Sequence, residues 1–217
     1  MQSALAIIPA GSGNGLAMHL GLGRDMDKAM QLLNHSEEKR MDCGLMNGRP
    51  FVNLAGVGFD GLVSNLMRGK EKRGFYTYFF KSLEAGLKYE PRNCRITFDG
   101  QTIEHKCFSV AIANGPMYGY NFKIAPDAKL DDGKFEIVLL KDAPRWKYFA
   151  AVPETLSGRI YEADFVEHFS ASAVEISFDT DENFAHLDGE GVTVNNFLKF
   201  EMRENALKVM VPQKITT

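Results

Sequence analysis

A glycine-rich turn near the start of the chain constrains what the chain can fold into more than any other feature of the sequence. The turn, residues 11–15, follows the apolar segment 5–8 and precedes a second apolar segment, residues 16–20. The first segment predicts a buried strand and the second a short helix. Such a turn leaves backbone N–H groups unpaired at the start of a helix, where the helix dipole favours an anion. We therefore expect a strand–turn–helix unit with a phosphate site, and we name residues 11–15 the glycine turn.

The spacing of the glycines separates this turn from two common nucleotide-binding motifs. Its glycines alternate, at Gly11, Gly13 and Gly15, whereas the dinucleotide fingerprint has two residues between its second and third glycines. A P-loop is excluded because no lysine follows the last glycine. Taken alone, the motif is as consistent with a purely structural tight turn as with a phosphate site.

Length and charge narrow the class of protein. A chain of 217 residues forms one large domain or two small ones, and a formal net charge of −3 gives no general attraction to nucleic acid. No apolar run approaches the roughly 18 residues of a membrane span, and the N-terminal residues lack a signal-peptide pattern. Three widely spaced cysteines indicate a reducing compartment without a disulfide framework. The five histidines lack metal-ligand spacing, so we expect a cytoplasmic protein without zinc.

From residue 41 onward the sequence is rich in strand and hairpin signals. Asp-Gly pairs between apolar runs favour tight turns, because glycine adopts positive φ without strain. They occur at Asp99-Gly100, Asp132-Gly133 and Asp188-Gly189. We predict helices over residues 26–33 (with Asp25 as N-cap), 61–68, 74–89 and 145–158, the last broken by Pro153, and strands over residues 51–57, 95–98, 102–112, 135–140, 165–169, 174–178, 185–187, 192–194, 197–202 and 207–211.

The expected architecture is an α/β stub plus a β-rich domain. The stub, residues 1–40, contains the glycine turn, and residues 41–217 form a β-sandwich with helical insertions. We find no internal repeat or flexible linker in the sequence.

Acidic residues at the ends of predicted strands are the candidates for catalysis or metal binding. Asp60 follows a strand that ends in two glycines, and Asp131 with Asp132 offers hard oxygen ligands suited to Mg²⁺. Asp188 and Glu190 flank a glycine at a predicted hairpin tip. One of the two carboxylates could act as a base that accepts a proton from an attacking hydroxyl, while the other orients that base or binds metal. Each has a structural alternative, Asp60 as a helix N-cap and the others as polar turn residues.

A basic cluster beside an aromatic segment has two interpretations. Residues 68–73 carry four cationic side chains, and residues 75–80 carry five aromatic rings. The pattern is compatible with contact with an anionic membrane face. It is more often typical of a solvated loop before a helix that faces the core. The aromatic segment, Met117 and Tyr118 are also candidates for lining the lipid pocket that the family resemblance described below implies.

The order of these motifs resembles that of the diacylglycerol kinase and sphingosine kinase superfamily, and it is similar to the bacterial lipid kinases of that group. The motifs are Pro9-Ala10-Gly11-Ser12-Gly13-Asn14, Gly56-Val57-Gly58-Phe59-Asp60, Asn114-Gly115 with its glycine-bearing loop, Ala125-Pro126 with Asp131-Asp132-Gly133, and Asp188-Gly189-Glu190. The resemblance implies a two-domain lipid kinase fold, in which an α/β nucleotide-binding domain packs on a β-sandwich. It also implies transfer of the γ-phosphoryl group of ATP to a lipid hydroxyl.

The resemblance assigns roles to individual residues. The positions that correspond to family site residues are, for nucleotide binding, Gly11, Ser12, Gly13, Asn14 and Asp60; for catalysis, Glu190 as general base with Asp188 beside it; and for a structural Mg²⁺, Asp131 and Asp132. The implied cofactors are ATP and Mg²⁺. The implied partner is a lipid substrate, reached by transient contact with the inner face of the membrane.

Two departures from the family pattern bear on these expectations. Gly15 stands where the bacterial proteins usually have Asp and sphingosine-kinase-like members have Ala. The family also has a Gly-Gly-Asp-Gly-Thr loop before the Pro-x-Gly turn, and its Asp is held to be catalytic or metal-binding, whereas only eight residues precede Pro9. We therefore expect a fragment of a longer protein. A strand edge exposed in this way could pair two chains as a homodimer.

Three hypotheses follow. The chain is part of a lipid kinase, or a non-catalytic lipid-binding or interaction module, or an NAD kinase-like enzyme with a soluble acceptor. The kinase hypothesis requires that the glycine turn and the late acidic hairpin, at opposite ends of the sequence, lie at a single crevice that accepts a triphosphate and its magnesium.

Overall fold

The computed structural model describes residues 3–11, 13–67, 85–181 and 183–213. Ser12 and the predicted basic and aromatic segments, 68–73 and 75–80, lie outside the described residues. The strands described are β1 Ser36–Met46, β2 Arg49–Phe51, β3 Leu54–Gly58, β4 Arg92–Phe98, β5 Gln101–Ala113, β6 Phe135–Lys141, β7 Val166–Ala171, β8 Ala173–Phe178, β9 Asn183–Leu187, β10 Glu190–Val194 and β11 Phe197–Pro212. The helices described are α1 Gly15–His19, α2 Met26–Leu33, α3 Phe59–Leu66, α4 Arg145–Ala150 and α5 Val152–Ser157, with a 3₁₀ turn at Ile160–Glu162.

Strand β5 is where the antiparallel sheet curls over on itself. Its first half pairs with β4 and its second half with β3 and β6, with a register shift between Cys107 and Ser109. One side of the fold has the order β10-β9-β3-β5-β6-β7, and the other has the order β5-β4-β8-β11-β1-β2. Because β5 belongs to both sides, they face each other as a β-sandwich. The predicted β-rich fold class is confirmed.

Large aromatic side chains fill the space between the two sides. Phe51, Phe135 and Phe200 are almost completely buried. The rings of Phe51 and Phe135 stack with centroids 5.7 Å apart, and Phe200 meets Phe51 edge-on at 6.4 Å. A Cβ atom at Gly44 would collide with the ring of Phe51, so the strand below the ring needs a glycine. The core therefore depends on close packing of a few large groups.

Helices α1 and α2 pack on the end of the sheet formed by β1 and β11. The buried apolar side chains that join them are Ala17, Leu20, Leu22, Ala29, Met41, Leu130 and Val209. The predicted N-cap of α2 is confirmed, since the Asp25 carboxylate accepts the Lys28 N–H at 3.0 Å. The predicted boundary between the α/β stub and the β-rich domain, between residues 40 and 41, falls inside β1. This domain boundary stays a prediction.

The buried strand predicted for residues 5–8 is wrong. Leu5 makes a single parallel bridge to Val209, in which its N–H donates to Lys208 O at 2.7 Å and its carbonyl accepts from Met210 N–H at 2.9 Å. Because the segment meets β11 at one residue only, no ladder forms, and Ile7 alone among its large apolar side chains packs partly buried against the core. Leu5 and Ile8 are 47% and 45% exposed.

The expectation of no disulfide is also wrong. Cys94 on β4 and Cys107 on β5 are joined by a disulfide, while Cys43 is a free, buried thiol. The β4–β5 hairpin turns at the predicted Asp99-Gly100 pair, and both residues of the turn have positive φ. That hairpin brings together two cysteines that are 13 positions apart in sequence.

Two other elements differ from the prediction in their extent. Residues 197–202 and 207–211 belong to the single long strand β11 rather than to two strands. The predicted strand over residues 51–57 is divided between β2 and β3. The break predicted at Pro153 is confirmed, since α4 ends before it and α5 restarts with the proline in its first turn.

Replacing Phe135 with alanine tests the role of the aromatic core. Because this ring is fully buried and stacks on Phe51, we expect Phe135→Ala to lower the free energy of unfolding by about 3–5 kcal/mol. The measurement is urea denaturation followed by circular dichroism. Phe197, which is 48% exposed, provides the matched control, and Phe197→Ala should cost less than about 1 kcal/mol. Equal losses for the two variants would contradict this account of the core.

Candidate functional site

The side chain of Asn14 closes the glycine turn. Its Oδ1 accepts the Gly11 N–H at 2.9 Å, and its Nδ2 donates to the Gly11 carbonyl at 2.7 Å. Asn14 itself has φ +53°, in the left-handed region that asparagine tolerates better than most residues. The predicted phosphate-binding residue Asn14 therefore shapes the turn, and the Gly11 amide already has a partner.

The glycine turn packs against a loop that follows β5, residues 114–122, which we name the tyrosine loop. Asn14 bridges to Gly119, and Gly13 O accepts the Tyr120 N–H at 3.4 Å. A Cβ atom at Gly15 would collide with the Tyr118 carbonyl and lie 2.7 Å from the Met117 carbonyl. This close approach gives a physical reason for a glycine at position 15, where the sequence departs from the family pattern.

The carboxylate of Asp188 holds the tip of the β9–β10 hairpin against the chain between β2 and β3. Its oxygens accept three consecutive backbone N–H groups, from Val52 and Asn53 at 2.8 Å and from Leu54 at 3.0 Å. These bonds explain why the predicted strand over residues 51–57 is interrupted, since the amides turn toward a side chain instead of a neighbouring strand. Asp188 has φ +51° and Gly189 φ +86°, as the Asp-Gly turn predicts.

Asn53 connects this hairpin tip to the tyrosine loop. Its carbonyl accepts the N–H groups of Asn114 at 2.9 Å and Gly115 at 2.8 Å, and its Nδ2 donates to Met117 O at 2.9 Å. The glycine turn contacts the same loop through Tyr118 and the residues after it. The structure therefore brings the two ends of the sequence to one loop.

A partly buried polar cluster lies beside this junction. The Tyr118 hydroxyl donates to Asp60 Oδ2, and the Tyr118 ring lies 5.8 Å from the ring of His186. A Cβ atom at Gly56 would lie 2.5 Å from His186 Nε2 and 2.9 Å from Asp60 Oδ2, so the glycine permits their approach. The cluster takes one residue each from β3, α3, the tyrosine loop and β9.

Burial sets the charges in this cluster. It raises the pKa of Asp60, and hydrogen bonds from Tyr118 and Ser109 oppose that rise. It lowers the pKa of His186 to about 4, so the imidazole is neutral at neutral pH. The Gly189 N–H donates to His186 Nδ1 at 3.3 Å, which places the ring proton on Nε2, the nitrogen that faces Gly56.

Glu190 is exposed at the first position of β10, opposite Leu187. The next residue, Gly191, packs on helix α3, because a Cβ atom there would lie 2.6 Å from the Asn65 N. The Asn65 side chain also donates to Ala185 O at 3.1 Å and to Val192 O at 3.3 Å, which ties both strands of the hairpin to α3. The hairpin is thus fixed at its tip and along its side.

Asp131 and Asp132 are exposed and lie on the α1 side of the site. Asp132 accepts the Lys134 N–H at 3.1 Å, and Asp131 is close enough to His19 to oppose the lowering of the pKa of that histidine by burial. Among the described residues, no hydrogen bond or ion pair joins Asp131 or Asp132 to Asp188. No group of three or more His, Cys, Asp or Glu side chains suited to a metal ion occurs among the described residues.

Asp42 is a structural residue that sequence reasoning missed. Its side chain is almost completely buried, and its carboxylate accepts the N–H of Asn205 at 2.7 Å and of Gly133 at 2.8 Å. It therefore joins β1, the bend within β11 and the turn that carries Asp131 and Asp132. A lone acid in the apolar run of residues 41–46 was the signal that could have found it. The lone histidine between Ala185 and Leu187 was a similar signal for His186.

A cavity of about 690 Å³ lies at the other end of helix α3. Its apolar lining comes from Leu62, Leu66, Ala85, Tyr89 and Phe184. One end is polar, where Arg92 donates to the Thr180 hydroxyl at 2.5 Å and Asn93 donates to Asp179 at 2.7 Å. Met117 and Tyr118, the sequence candidates for a lipid pocket, are absent from the lining residues described.

The comparison with known families agrees with the fold and the motifs. Residues 53–211 match the family described as the YegS C-terminal NAD kinase beta sandwich-like domain, which defines the class of this β-sandwich. Residues 1–46 match the diacylglycerol kinase catalytic domain. The chain belongs to the lipid kinase family that these two domains define.

Individual relatives support the same membership. The chain is 29% identical over 220 residues to a diacylglycerol kinase of Staphylococcus saprophyticus, covering 99% of this chain and 70% of the relative. It is 28% identical over 215 residues to a protein of Chromohalobacter salexigens named "Probable lipid kinase YegS-like", covering 98% and 68%. A crystal structure of a candidate diacylglycerol kinase from Bacillus anthracis superposes with a TM-score of 0.77 at 25% identity, covering 96% and 68%. The chain therefore spans about two thirds of these relatives.

Replacing Asp188 with asparagine tests its structural task. The amide would present an NH₂ group to at least one of the three backbone donors, so we expect Asp188→Asn to lower the free energy of unfolding by about 1–3 kcal/mol. Asp99 offers a matched control, because it occupies the same turn position in the β4–β5 hairpin and its carboxylate accepts no hydrogen bond from the described residues. Asp99→Asn should change the stability by less than about 0.5 kcal/mol. Similar effects of the two substitutions in urea denaturation would reject the task assigned to Asp188.

Replacing Tyr118 with phenylalanine tests the bond to Asp60. A hydrogen bond to an ionised carboxylate contributes about 1.5–3 kcal/mol, and a bond to a neutral one about 0.5–1.5 kcal/mol. Burial raises the folded-state pKa of Asp60, so its ionised form destabilises the fold above that pKa. This penalty shrinks as the pH falls below the folded-state pKa and is gone below the unfolded-state pKa. Tyr118→Phe removes a partner of the ionised form, so its cost should be larger at neutral pH and smaller at acid pH.

The control for this pH dependence is Tyr148. Its hydroxyl donates to Lys141 O at 2.7 Å and accepts the Ala143 N–H at 2.8 Å, so it bonds backbone groups that do not titrate. In denaturation experiments at several pH values, we expect Tyr148→Phe to lower the free energy of unfolding by the same amount at every pH. If the loss of unfolding free energy in Tyr118→Phe were also independent of pH, the Tyr118 hydroxyl would not stabilise the ionised form of Asp60.

Proposed function

We propose that this chain takes part in the transfer of a phosphoryl group from ATP to a lipid hydroxyl. The observation that carries the proposal is the junction at the tyrosine loop, where the glycine turn packs on the loop and the hairpin of Glu190 is connected to it through Asn53. Membership of the lipid kinase family supports the class of reaction. Phosphoryl transfer asks a protein mainly to position the reactants and to neutralise charge, which suits a rigid junction of this kind.

The glycine turn suits the phosphates of ATP. Gly13 presents backbone without a side chain, and its far side is fixed by the tyrosine loop. Because Asn14 already takes up the Gly11 N–H, we assign Gly11 and Asn14 to the shape of the turn. Gly13 and Ser12 are then the residues proposed to contact phosphate oxygens. We propose that Asp60 acts behind the turn, where its bond to Tyr118 supports the loop on which the turn rests.

Asp131 and Asp132 are the residues proposed to hold Mg²⁺. Their carboxylates are exposed and adjacent, and Mg²⁺ in kinases is commonly bound by one or two carboxylates together with phosphate oxygens and water. The donor chemistry of the pair therefore fits the ion. The metal would be the structural ion that the resemblance implies, and it would neutralise the two carboxylates and stabilise the turn that carries them. Asp42 fixes the turn that carries the pair, through its bond to the Gly133 N–H.

Glu190 and Asp188 receive different tasks in this proposal. Glu190 is exposed at the hairpin tip and is the proposed general base for the attacking hydroxyl. The Asp188 carboxylate accepts hydrogen bonds from three backbone amides, so we assign Asp188 to positioning the hairpin that carries Glu190. This division departs from the expectation that both acids serve the chemistry.

The cavity beside α3 supports an acyl chain as part of the acceptor. Of the twelve lining residues described, five are leucine, alanine or aromatic residues, and the polar end of the cavity suits a headgroup or linkage. The relatives named as diacylglycerol kinases point to the same class of acceptor. In the described part of the chain, no helix has the length and apolar character needed to cross a bilayer. The proposed place of action is the inner membrane face, where ATP and a lipid acceptor can meet.

Glu190→Gln tests the proposed base. In the longest protein that the gene encodes, we expect turnover to fall by about 10²–10⁴-fold, while the affinity for ATP measured by calorimetry stays within about twofold. Glu104 forms an exposed pair with Arg95, far from the site in the hairpin of β4 and β5, and Glu104→Gln is the matched control. Unchanged turnover in the Glu190 variant would remove this residue from the mechanism.

The acceptor is tested with three substrates in parallel. Transfer of labelled phosphate from ATP is measured to diacylglycerol, to a sphingoid base and to NAD. We expect labelling of a lipid acceptor and none of NAD. Labelling of NAD alone would replace the lipid kinase proposal by a soluble-acceptor kinase.

A further inference from the structure

His186 is a buried titratable side chain that the proposed reaction does not use. It is 2% exposed and lies in the middle of β9, between Ala185 and Leu187. Its cross-strand neighbours are both glycines, Gly56 on β3 and Gly191 on β10. Directly opposite residues of antiparallel strands project to the same face, so these glycines leave room there for the imidazole and for helix α3. A polar ring buried in this way requires hydrogen bonds, because burying a polar group without a partner is costly.

The strand that carries His186 is held firmly against α3. A Cβ atom at Gly61 would collide with the backbone of Phe184 and Ala185, so the backbones of the helix and the strand are in direct contact. The Asn65 side chain also donates to Ala185 O at 3.1 Å. The packing of β9 on α3 therefore sets the position of the imidazole before the hairpin turn begins.

One ring nitrogen holds the turn that precedes the proposed base. His186 Nδ1 accepts the Gly189 N–H at 3.3 Å, and Gly189 lies between Asp188 and Glu190. Burial lowers the pKa of His186 to about 4, so Nδ1 remains an acceptor at neutral pH. The Asp188 carboxylate anchors the residue before Gly189, through its three backbone partners, and the imidazole anchors Gly189 itself.

The other ring nitrogen faces a pair of residues that lie outside the hairpin. His186 Nε2 and Asp60 Oδ2 both approach the position that a Cβ atom at Gly56 would occupy, at 2.5 Å and 2.9 Å. The Tyr118 ring lies 5.8 Å from the imidazole, and its hydroxyl donates to Asp60. The imidazole is therefore enclosed between the hairpin turn and a hydrogen-bonded pair, which limits how far the ring can move.

We propose that His186 is a positioning residue for the general base: by accepting the Gly189 N–H, it fixes the backbone immediately before Glu190 and so sets where the Glu190 carboxylate meets the acceptor hydroxyl. The inference rests on the proposed function, in which Glu190 accepts the proton of that hydroxyl. A displacement of about 1 Å at a reacting group can lower a rate about 100-fold. The imidazole contacts neither substrate in this arrangement, so its loss should lower kcat and leave KM unchanged.

Two substitutions of His186 separate positioning from packing. His186→Leu fills the site without an acceptor, whereas in His186→Asn the Oδ1 atom can accept the Gly189 N–H, as asparagine side chains do in turns. In the longest protein that the gene encodes, we expect His186→Leu to lower kcat about 10–100-fold with KM for ATP and acceptor within about twofold, and His186→Asn to keep kcat within about threefold. A packing role alone would give the opposite order, since leucine fills an apolar interior better than asparagine. That order, or a normal kcat in His186→Leu, would overturn the proposal.

Hydrogen exchange at the Gly189 amide measures the bond without any turnover. In the 217-residue chain, we expect this amide to exchange about 5–10-fold faster in His186→Leu than in the unaltered chain, and at a nearly unaltered rate in His186→Asn. Gly100, at the same position of the Asp99-Gly100 turn, is the control, and neither substitution should change its exchange rate. Equal exchange at Gly189 in all three proteins would show that the imidazole does not hold the turn, and the proposal would be rejected.

A double substitution shows whether His186 acts through the base. In the Glu190→Gln background, His186→Leu should lower kcat by less than about twofold further, because the residue that it positions is already inactive. Ile176, fully buried on β8, provides the stability control, and Ile176→Ala should lower the free energy of unfolding without changing the kcat of the folded enzyme. Equal losses of kcat from His186→Leu in both backgrounds would mean that His186 acts independently of Glu190, contrary to the proposal.

The two proposals can fail separately. Normal phosphorylation by His186→Leu rejects the positioning role and leaves the kinase proposal intact. If the unaltered protein phosphorylates none of the acceptors tested, the proposed function is rejected, and the role of His186 is rejected with it.

Discussion

The site depends on the carboxylate of Asp188 and its three backbone N–H partners. These bonds stop β2 from continuing into β3, turn the intervening amides toward the β9–β10 hairpin and fix the strand that carries Glu190. A carboxylate that accepts hydrogen bonds from several backbone amides holds two chain segments firmly in one orientation, because charge-assisted hydrogen bonds are about twice as strong as neutral ones. Asp42 does the same for β1, β11 and the turn before β6.

Tyr118 extends this arrangement to the glycine turn. Its backbone carbonyl occupies the space left by the missing side chain of Gly15, while its hydroxyl reaches Asp60 and its ring lies beside His186. One residue therefore contacts the proposed phosphate turn, the start of α3 and the base of the acidic hairpin. The short helix α1 is held by this loop on one side and by apolar packing against β1 and β11 on the other.

Local patterns predicted the hairpin turns at Asp99 and Asp188, the N-cap at Asp25 and the helix restart at Pro153, because each depends on residues close in sequence. The order of motifs predicted the family and the fold class. Pairing between distant parts of the chain was out of reach: the union of two predicted strands into β11 and the three partners of Asp188 depend on which strands meet. The disulfide lies within a predicted hairpin and was missed because the cysteines were considered only by their number and spacing. The prediction of a buried strand over the apolar segment 5–8 was wrong because hydrophobicity does not show whether a neighbouring strand is present.

Helix α3 relates the two ends of the proposed substrate site. Asp60 lies in its first turn beside the tyrosine loop, and Leu66 lies at its last residue on the cavity. At a rise of 1.5 Å per residue, these positions are about 9 Å apart along the helix. Gly61 and Gly191 let the helix sit directly on β9 and β10, since a Cβ atom at either would collide with backbone. Gly191, the residue after Glu190, lies against Asn65 in the last turn of α3, so a lipid whose reacting hydroxyl lies near Glu190 would reach the apolar wall through a short polar linkage.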